Sequence, residues 1–240
     1  MAAVRSSRLS PSPSRAGRWR GIALGLLALA LLTGGCSGRG AAEAYHRATP
    51  GELYLYTPPN YEPGVLIQLL MALHGDGQDA FDCFDFWRSY ADENGFVLLC
   101  PELPYTDGLM DRGAAQALLG QALQTAYSEV SLPGTFFVVG FGEAGTLALQ
   151  YASQFPASIA GVAAIANREF PPLSVGAARF PVLILAPSGD RAASDAAQAF
   201  VDQMIPQGFA VRLVMLDEDG DRLTRDAGRV TADFLTEILR

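Results

Sequence analysis

From Glu52 onward, short apolar runs alternate with stretches of helical period. Glu52–Thr57 alternates as a strand and is broken by Pro58-Pro59-Asn60-Tyr61. Leu66–His74 is almost continuously apolar, as a strand covered on both faces is. Asp82–Asn94 reads as a helix stopped by Gly95, and Phe96–Cys100 as a strand stopped by Pro101. A long Ala/Leu/Gln helix over Met110–Glu129 precedes a strand at Thr135–Gly140. A helix then runs from Glu143 to about Phe155, followed by strands at Ile159–Ile165 and Pro181–Ala186. Ala197, Phe200, Val201, Met204 and Ile205 fall at helical spacing before Gly208. Ala210–Leu216 is the last strand, and Leu223, Ala227, Val230, Phe234 and Ile238 form one face of a final helix. Strands alternating with helices predict an α/β fold: a mainly parallel sheet covered by helices on both faces. In such sheets ligands bind beyond the carboxyl ends of the strands.

The first 35 residues have a different pattern. Residues 1–20 are basic and rich in Ser and Pro, and Gly21–Leu32 is apolar without a charge. Twelve such residues suit a signal-peptide core and are short of the ~20 that span a bilayer. The run ends in Leu32-Thr33-Gly34-Gly35-Cys36, which resembles a bacterial lipobox, although Thr33 stands where that motif usually has Leu. The resemblance implies cleavage before Cys36 and acylation of that residue; ordinary secretory cleavage near Gly35 is the alternative. The expected organisation is a leader at 1–35, a lipidated Cys36 with a flexible tether at 36–51, and one domain at 52–240.

Composition fits this division. The chain has 240 residues, half of them hydrophobic, with 17 basic residues, every one Arg, against 25 acidic. The leader holds five Arg and no acid, so the remainder carries 12 Arg against 25 acids, a charge of −13. That balance excludes disorder and argues against nucleic acid as a partner. It also leaves lipid as the sole expected anchor, because an anionic bilayer would repel the domain. An exported lipoprotein is expected at the periplasmic face of the outer membrane or the cell surface. Beyond Cys36 the chain has only Cys83 and Cys100. In an oxidising compartment an even pair points to a disulfide, two buried thiols being the alternative.

Four segments carry candidate chemistry: TPPNYEP from Thr57, LLMALHGDGQDAF from Leu69, NGFVLLCPE from Asn94 and FVVGFGEAGTLALQYASQFP from Phe137. They resemble the alpha/beta-hydrolase superfamily, and within it secreted esterases similar to polyhydroxybutyrate depolymerases and feruloyl esterases. The resemblance implies a three-layer alpha/beta-hydrolase fold without a cofactor or metal. It also implies oxyanion donors around His74, Gly75 and Asp76, completed by the amide of Glu143. The segment Gly140–Gly145 corresponds to the nucleophile elbow G-x-S-x-G, where a sharp strand-to-helix turn lifts a serine hydroxyl above the sheet. The nucleophile position is Gly142, which has no side chain. Asp190 matches the acid that would orient the histidine, and Asp221 stands at the histidine position. The whole chain has two His, His46 in the tether and His74 in the oxyanion turn.

A triad needs an imidazole to take the nucleophile's proton and return it to the leaving group. Losing an essential member costs a factor of about 10⁶, and an oxyanion hole with binding alone leaves about 10³ over water. The expectation is therefore a lipid-anchored pseudoenzyme that binds an unidentified small-molecule or protein ligand in the cleft. The alternatives are an ester hydrolase with a displaced nucleophile and a purely structural lipoprotein. Glu143 reads as a carboxylate favoured by the helix dipole rather than as a nucleophile. Thr146, Ser153 and Ser188 read as ordinary hydroxyls. Asp217, Glu218, Asp219 and Asp221 lack the spacing of a calcium loop. Asp76, Asp79, Asp82 and Asp85, with Glu143, Asp190 and Asp221, are expected to make the cleft mouth negative, which either selects cationic or neutral ligands or is one part of a generally acidic surface.

Overall fold

The computed structural model describes residues 46–49 as backbone, and residues 53–173 and 179–240 in full. The expected leader, the expected lipidation at Cys36 and the segment read as a tether up to residue 45 lie outside the described residues. All described residues belong to one compact unit.

Strand β1 (His46–Thr49) pairs antiparallel with β2 (Leu53–Tyr56), and β2 antiparallel with β4 (Val97–Pro101). The remaining strands are parallel: β3 (Leu69–Leu73), β7 (Phe136–Phe141), β8 (Ile159–Ile165), β9 (Val182–Pro187) and β10 (Val211–Leu216). Together they form an eight-stranded sheet in the order β1-β2-β4-β3-β7-β8-β9-β10. Its helices are α1 (Ala80–Asn94), α2 (Arg112–Glu129), α3 (Glu143–Gln154), α4 (Arg191–Met204) and α5 (Arg225–Ile238).

The strand period of two separates the core into two layers. On β3, Leu69, Met71 and Leu73 face the cluster that includes Leu119, Leu147 and Phe200 of α2, α3 and α4. Leu70 and Ala72 face the other cluster, with Trp87 of α1 and Phe234 of α5. Central strands buried on both faces must be apolar at every position, and β3, β4, β7 and β9 are. The expected three-layer α/β architecture is therefore present, with the parallel strands ending on one side of the molecule.

Local chemistry sets the element boundaries. Asp79 and Asp82 cap α1 reciprocally, and Asp111, Asp190 and Thr224 cap α2, α4 and α5 with their side chains. Only α3 begins without a side-chain cap, at Gly142.

Four expectations need correction. Leu66 is 67% exposed and precedes β3, because the continuous apolar run conceals where the pleat begins. Met110 belongs to a small hairpin, β5 (Tyr105–Thr106) with β6 (Leu109–Met110), rather than to α2. Its turn residues Asp107 and Gly108 have φ of 51° and 78°, the pair of left-handed conformations that an Asp-Gly hairpin turn uses. The segment read as a tether contributes β1, since the open backbone edge of β2 takes another strand. Cys83 and Cys100 are two buried free thiols, with their side chains in hydrogen-bond contact. Among the described residues no helix is long and apolar enough to cross a membrane.

A candidate ligand site above the sheet

The carboxyl ends of β3, β7, β8, β9 and β10 open onto a cleft of about 510 Å³. It is lined by Gly75 and Asp76 after β3, Gly142 and Glu143 after β7, and Arg168 and Glu169 after β8. Asp190 follows β9, and Gly220 and Asp221 follow β10. The three positions matched to a nucleophile, an acid and a histidine thus meet in one cleft, as do Gly75, Asp76 and Glu143. His74 does not line it.

The turn at Gly142 keeps the form of an elbow. Its φ of 59° and ψ of −130° lie where a side chain is strained. The backbone holds it from both sides, through Gly142 N to Ile165 O at 2.8 Å and Gly145 N to Gly142 O at 3.0 Å. The flanking glycines are required by close approach. A Cβ on Gly140 would strike the backbone carbonyl of Ala144, and one on Gly145 would lie 2.8 Å from Asn167 Oδ1. A Cβ on Gly142 would meet nothing within 4 Å. The turn therefore presents open space where a hydroxyl would stand.

His74 is 2% exposed and occupied on both ring nitrogens. The Leu103 amide donates to Nε2 at 2.9 Å, so the proton sits on Nδ1 and is donated to Gly75 O at 3.0 Å. The ring fixes the turn after β3 to the end of β4, and its one lone pair is already used. Beside it, the Gly75 amide donates to Gln78 Oε1 at 3.1 Å. Asp76 and Glu143 both line the cleft, and their amides have no protein acceptor among the described residues.

Asp190 has partners other than an imidazole. Its Oδ1 accepts from the Ala193 amide at 3.1 Å, and its Oδ2 from Arg168 Nε at 2.6 Å. The helix-end amide first and the guanidinium second hold its carboxyl below the usual range. Asp221 enters the cleft because Gly220, at φ 79°, packs its Cα against Pro187, where a Cβ would lie 2.6 Å from Cγ.

Arg112 was not singled out in the sequence, yet it organises the opposite wall. It donates through Nε to Glu143 Oε1 at 3.1 Å and through both terminal nitrogens to Glu169, the shorter bond being 2.6 Å. The paired Arg112 draws the Glu169 carboxyl below its ordinary value. A weak sequence signal for Arg112 existed, an Arg directly after the N-cap Asp111 and so at the cleft end of a helix. Arg168 has a similar one, three residues beyond a buried strand.

These pairs redraw the expected acidic rim. Asp79 and Asp82 are spent on capping α1, and Asp85 lies beside Arg225 in a separate shallow pocket. Glu143 and Glu169 share Arg112, and Asp190 pairs with Arg168, so the two arginines offset only two of these three carboxylates. Asp76 and Asp221 keep carboxylates with no hydrogen bond or ion pair to a described residue. Among the described residues the only hydroxyl lining the cleft is that of Thr146, and it donates to Glu169 O at 2.7 Å. Among the described residues no group of His, Cys, Asp and Glu is arranged to hold a metal ion. Among the described residues the lining holds two carboxylates without a partner, Asp76 and Asp221, and two guanidinium groups that are already paired.

No protein-family model and no curated protein matches the chain. Solved structures do. One is FphF, a fluorophosphonate-binding serine hydrolase of Staphylococcus aureus, at 13% identity and TM-score 0.60 over 82% of this chain and 98% of that one. A second is a dienelactone hydrolase of Anabaena variabilis, at 16% identity and TM-score 0.58 over 83% and 98%. A third is esterase PE8, at 20% identity and TM-score 0.58 over 73% and 94%. The fold is that of the alpha/beta-hydrolases, many of whose matching members are esterases and serine hydrolases.

Proposed function

We propose that this protein is a ligand-binding module built on an esterase-like fold, without hydrolase activity, held in the bacterial cell envelope by lipid on Cys36. The observation that carries the first part is Gly142: the elbow keeps its backbone and offers no nucleophile. Supporting it, Asp190 is engaged by Arg168 and the position of the base holds Asp221. His74 is committed to Leu103 and Gly75. A serine-type acyl transfer needs a hydroxyl that attacks the carbonyl and an imidazole that moves its proton, and among the described residues the lining of the cleft offers no free hydroxyl and no imidazole. The amides of Asp76 and Glu143 would instead receive an acceptor oxygen on a bound ligand, while Asp76 and Asp221 favour donors or positive charge. The lipid anchor rests on the run Leu32–Cys36 following an apolar core of signal-peptide length.

The test uses a fluorophosphonate probe and short-chain nitrophenyl esters on the purified full chain. Neither labelling nor turnover is expected. Labelling of any residue in the cleft, or turnover abolished by Asp76→Asn and Asp221→Asn, would overturn the reading. Gly142→Ser combined with Asp221→His tests the positions themselves, with labelling at residue 142 as the expected gain. For the anchor, metabolic labelling with palmitate is expected in the full chain and lost in Cys36→Ser.

A further inference from the structure

Nine large hydrophobic side chains among the described residues are exposed, and their distribution is uneven. Six of them, Val65, Leu66, Tyr127, Phe155, Ile205 and Leu239, lie at the end of the sheet opposite the cleft. Helices α2, α3, α4 and α5 all run back from the carboxyl ends of the strands, so their last turns crowd that end. Tyr127 is in the last turn of α2, while Phe155, Ile205 and Leu239 directly follow α3, α4 and α5. Such positions ordinarily favour cations, which complement the helix dipole, yet none of these helices has a basic residue in its last turn.

Several of these positions are tied together. The Ile67 amide donates to Ser131 O at 3.2 Å and the Ser131 amide to Tyr61 Oη at 3.4 Å, which ties the Val65–Leu66 loop to the end of α2. Tyr127 donates to Pro133 O at 2.9 Å in the same corner. The ring of the buried Tyr151 packs 4.8 Å from that of Phe155.

Two further observations identify what this end faces. The chain enters the sheet here: His46 pairs with Tyr56, and Tyr56 with Leu98 at the start of β4, so β1 begins on the apolar side. Cys36 precedes His46 by ten positions, a reach of at most ~35 Å when fully extended. Most of the acidic charge lies at the other end. More than half of the 25 acids sit in loops after the parallel strands or at the starts of helices, toward the cleft end. The apolar end keeps fewer, among them Glu62, Glu129, Asp202 and Glu237, so an anionic lipid surface repels it less than the cleft end.

We propose that the end bearing Val65, Leu66, Tyr127 and Phe155 is a lipid-docking surface, which seats the domain on the bilayer and turns the cleft away from it. This rests on the reading of Cys36 as the anchor. A short tether raises the effective concentration of lipid to the millimolar range, so a few partly inserted side chains suffice. The long apolar side chains would enter the interface, and Tyr127 would lie at headgroup depth.

The test reconstitutes the full chain into vesicles of phosphatidylethanolamine and phosphatidylglycerol. It carries a spin label at Gln154→Cys on the docking end or at Ala192→Cys at the cleft end. The residual thiols at Cys83 and Cys100 are buried. The label at 154 is expected to gain accessibility to oxygen and lose it to a nickel chelate, while the label at 192 stays in water. Leu66→Glu with Phe155→Glu should return the first label to water while the chain still floats with the vesicles. An acylated, vesicle-bound chain with both labels equally in water overturns the docking surface and leaves the anchor standing. A label at 154 shielded from both reagents reports a protein partner or a second copy, and also overturns it. A chain without acyl mass whose label at 154 still enters lipid upholds the docking and overturns the anchor. A chain without acyl mass that stays in solution overturns both.

Discussion

Three alanine substitutions around the elbow should separate backbone strain from crowding. At Gly142 the φ of 59° is unfavourable for any side chain, but a Cβ meets no atom within 4 Å. Gly142→Ala should therefore cost only strain, ~1–3 kcal/mol, reduced by ~0.4–1 kcal/mol because alanine restricts the unfolded chain. The net loss is about 1–2 kcal/mol, or ~2–8 °C in Tm for a domain of this size. At Gly145 the new methyl would lie 2.8 Å from Asn167 Oδ1. Asn167 is 2% exposed and donates to Glu169 O, so it can yield only by disturbing that bond. A loss of ~1–3 kcal/mol from overpacking follows, added to little or no strain. At Gly140 the methyl would strike the backbone of Ala144 and lie 2.6 Å from Gly145 N, with no flexible atom to move. That substitution belongs to the rare class above ~4 kcal/mol and should prevent folding. Urea unfolding followed by far-ultraviolet circular dichroism measures the first two, and soluble yield the third. Gly142→Ala as damaging as Gly140→Ala would mean that the space above the elbow is filled. A stabilising Gly142→Ala would mean that φ is negative in solution. Either result refutes the geometry on which the functional proposal rests.

His74→Leu should destabilise the fold by ~1–3 kcal/mol, because it leaves the buried Leu103 amide without its acceptor; unchanged urea stability and unchanged hydrogen exchange at Leu103 would exclude the structural role. Tyr56 gives a prediction at alkaline pH. Burial first, and then its 2.6 Å hydrogen bond to Asp92, push its phenol up to about 12, against about 10 in the unfolded chain. A group raised in the folded state contributes fully below its unfolded value and loses that contribution as pH rises through the folded one. Stability should therefore fall between about pH 10 and about 12 more steeply in the unmodified chain than in Tyr56→Phe, and equal slopes in chemical denaturation would contradict the assignment.

The strand and helix order was legible because burial on both faces leaves an unambiguous pattern: LLMAL, VLLCP and VLILAP admit no polar residue. The same property erases boundaries. In Leu66–His74 the residues outside the pleat are as apolar as those inside, so nothing in the run separates exposed Leu66 from buried Leu69. The hairpin at Tyr105–Met110 was signalled by Asp107-Gly108, but two-residue strands have too short a period to stand out beside a long helix. Gly142, Asp190 and Asp221 were placed in one cleft because each follows a recognisable strand. Arg112 and Arg168 escaped notice because an ion pair is a relation between distant segments. Arg112 lies 57 positions from Glu169, and Arg168 lies 22 from Asp190. No local pattern encodes that relation.

The arginines and Gly142 also explain one another. In a working triad the buried acid balances an imidazolium that forms during the reaction, and strain at the nucleophile is tolerated because the hydroxyl is needed there. A carboxylate at Asp190 without an imidazole would be left with the helix-end amide of Ala193 as its partner, at 15% side-chain exposure. Arg168 balances it with a charge already present, which an enzyme awaiting a transient cation has no use for. At the elbow, Ile165 and Gly145 hold the turn whatever side chain occupies residue 142. With no hydroxyl required, glycine is the residue that meets φ 59° without strain. Both features lower the free energy of the resting cleft and neither lowers that of an acyl-transfer transition state. On the proposed reading, this is the balance of a site that holds a ligand rather than converting one.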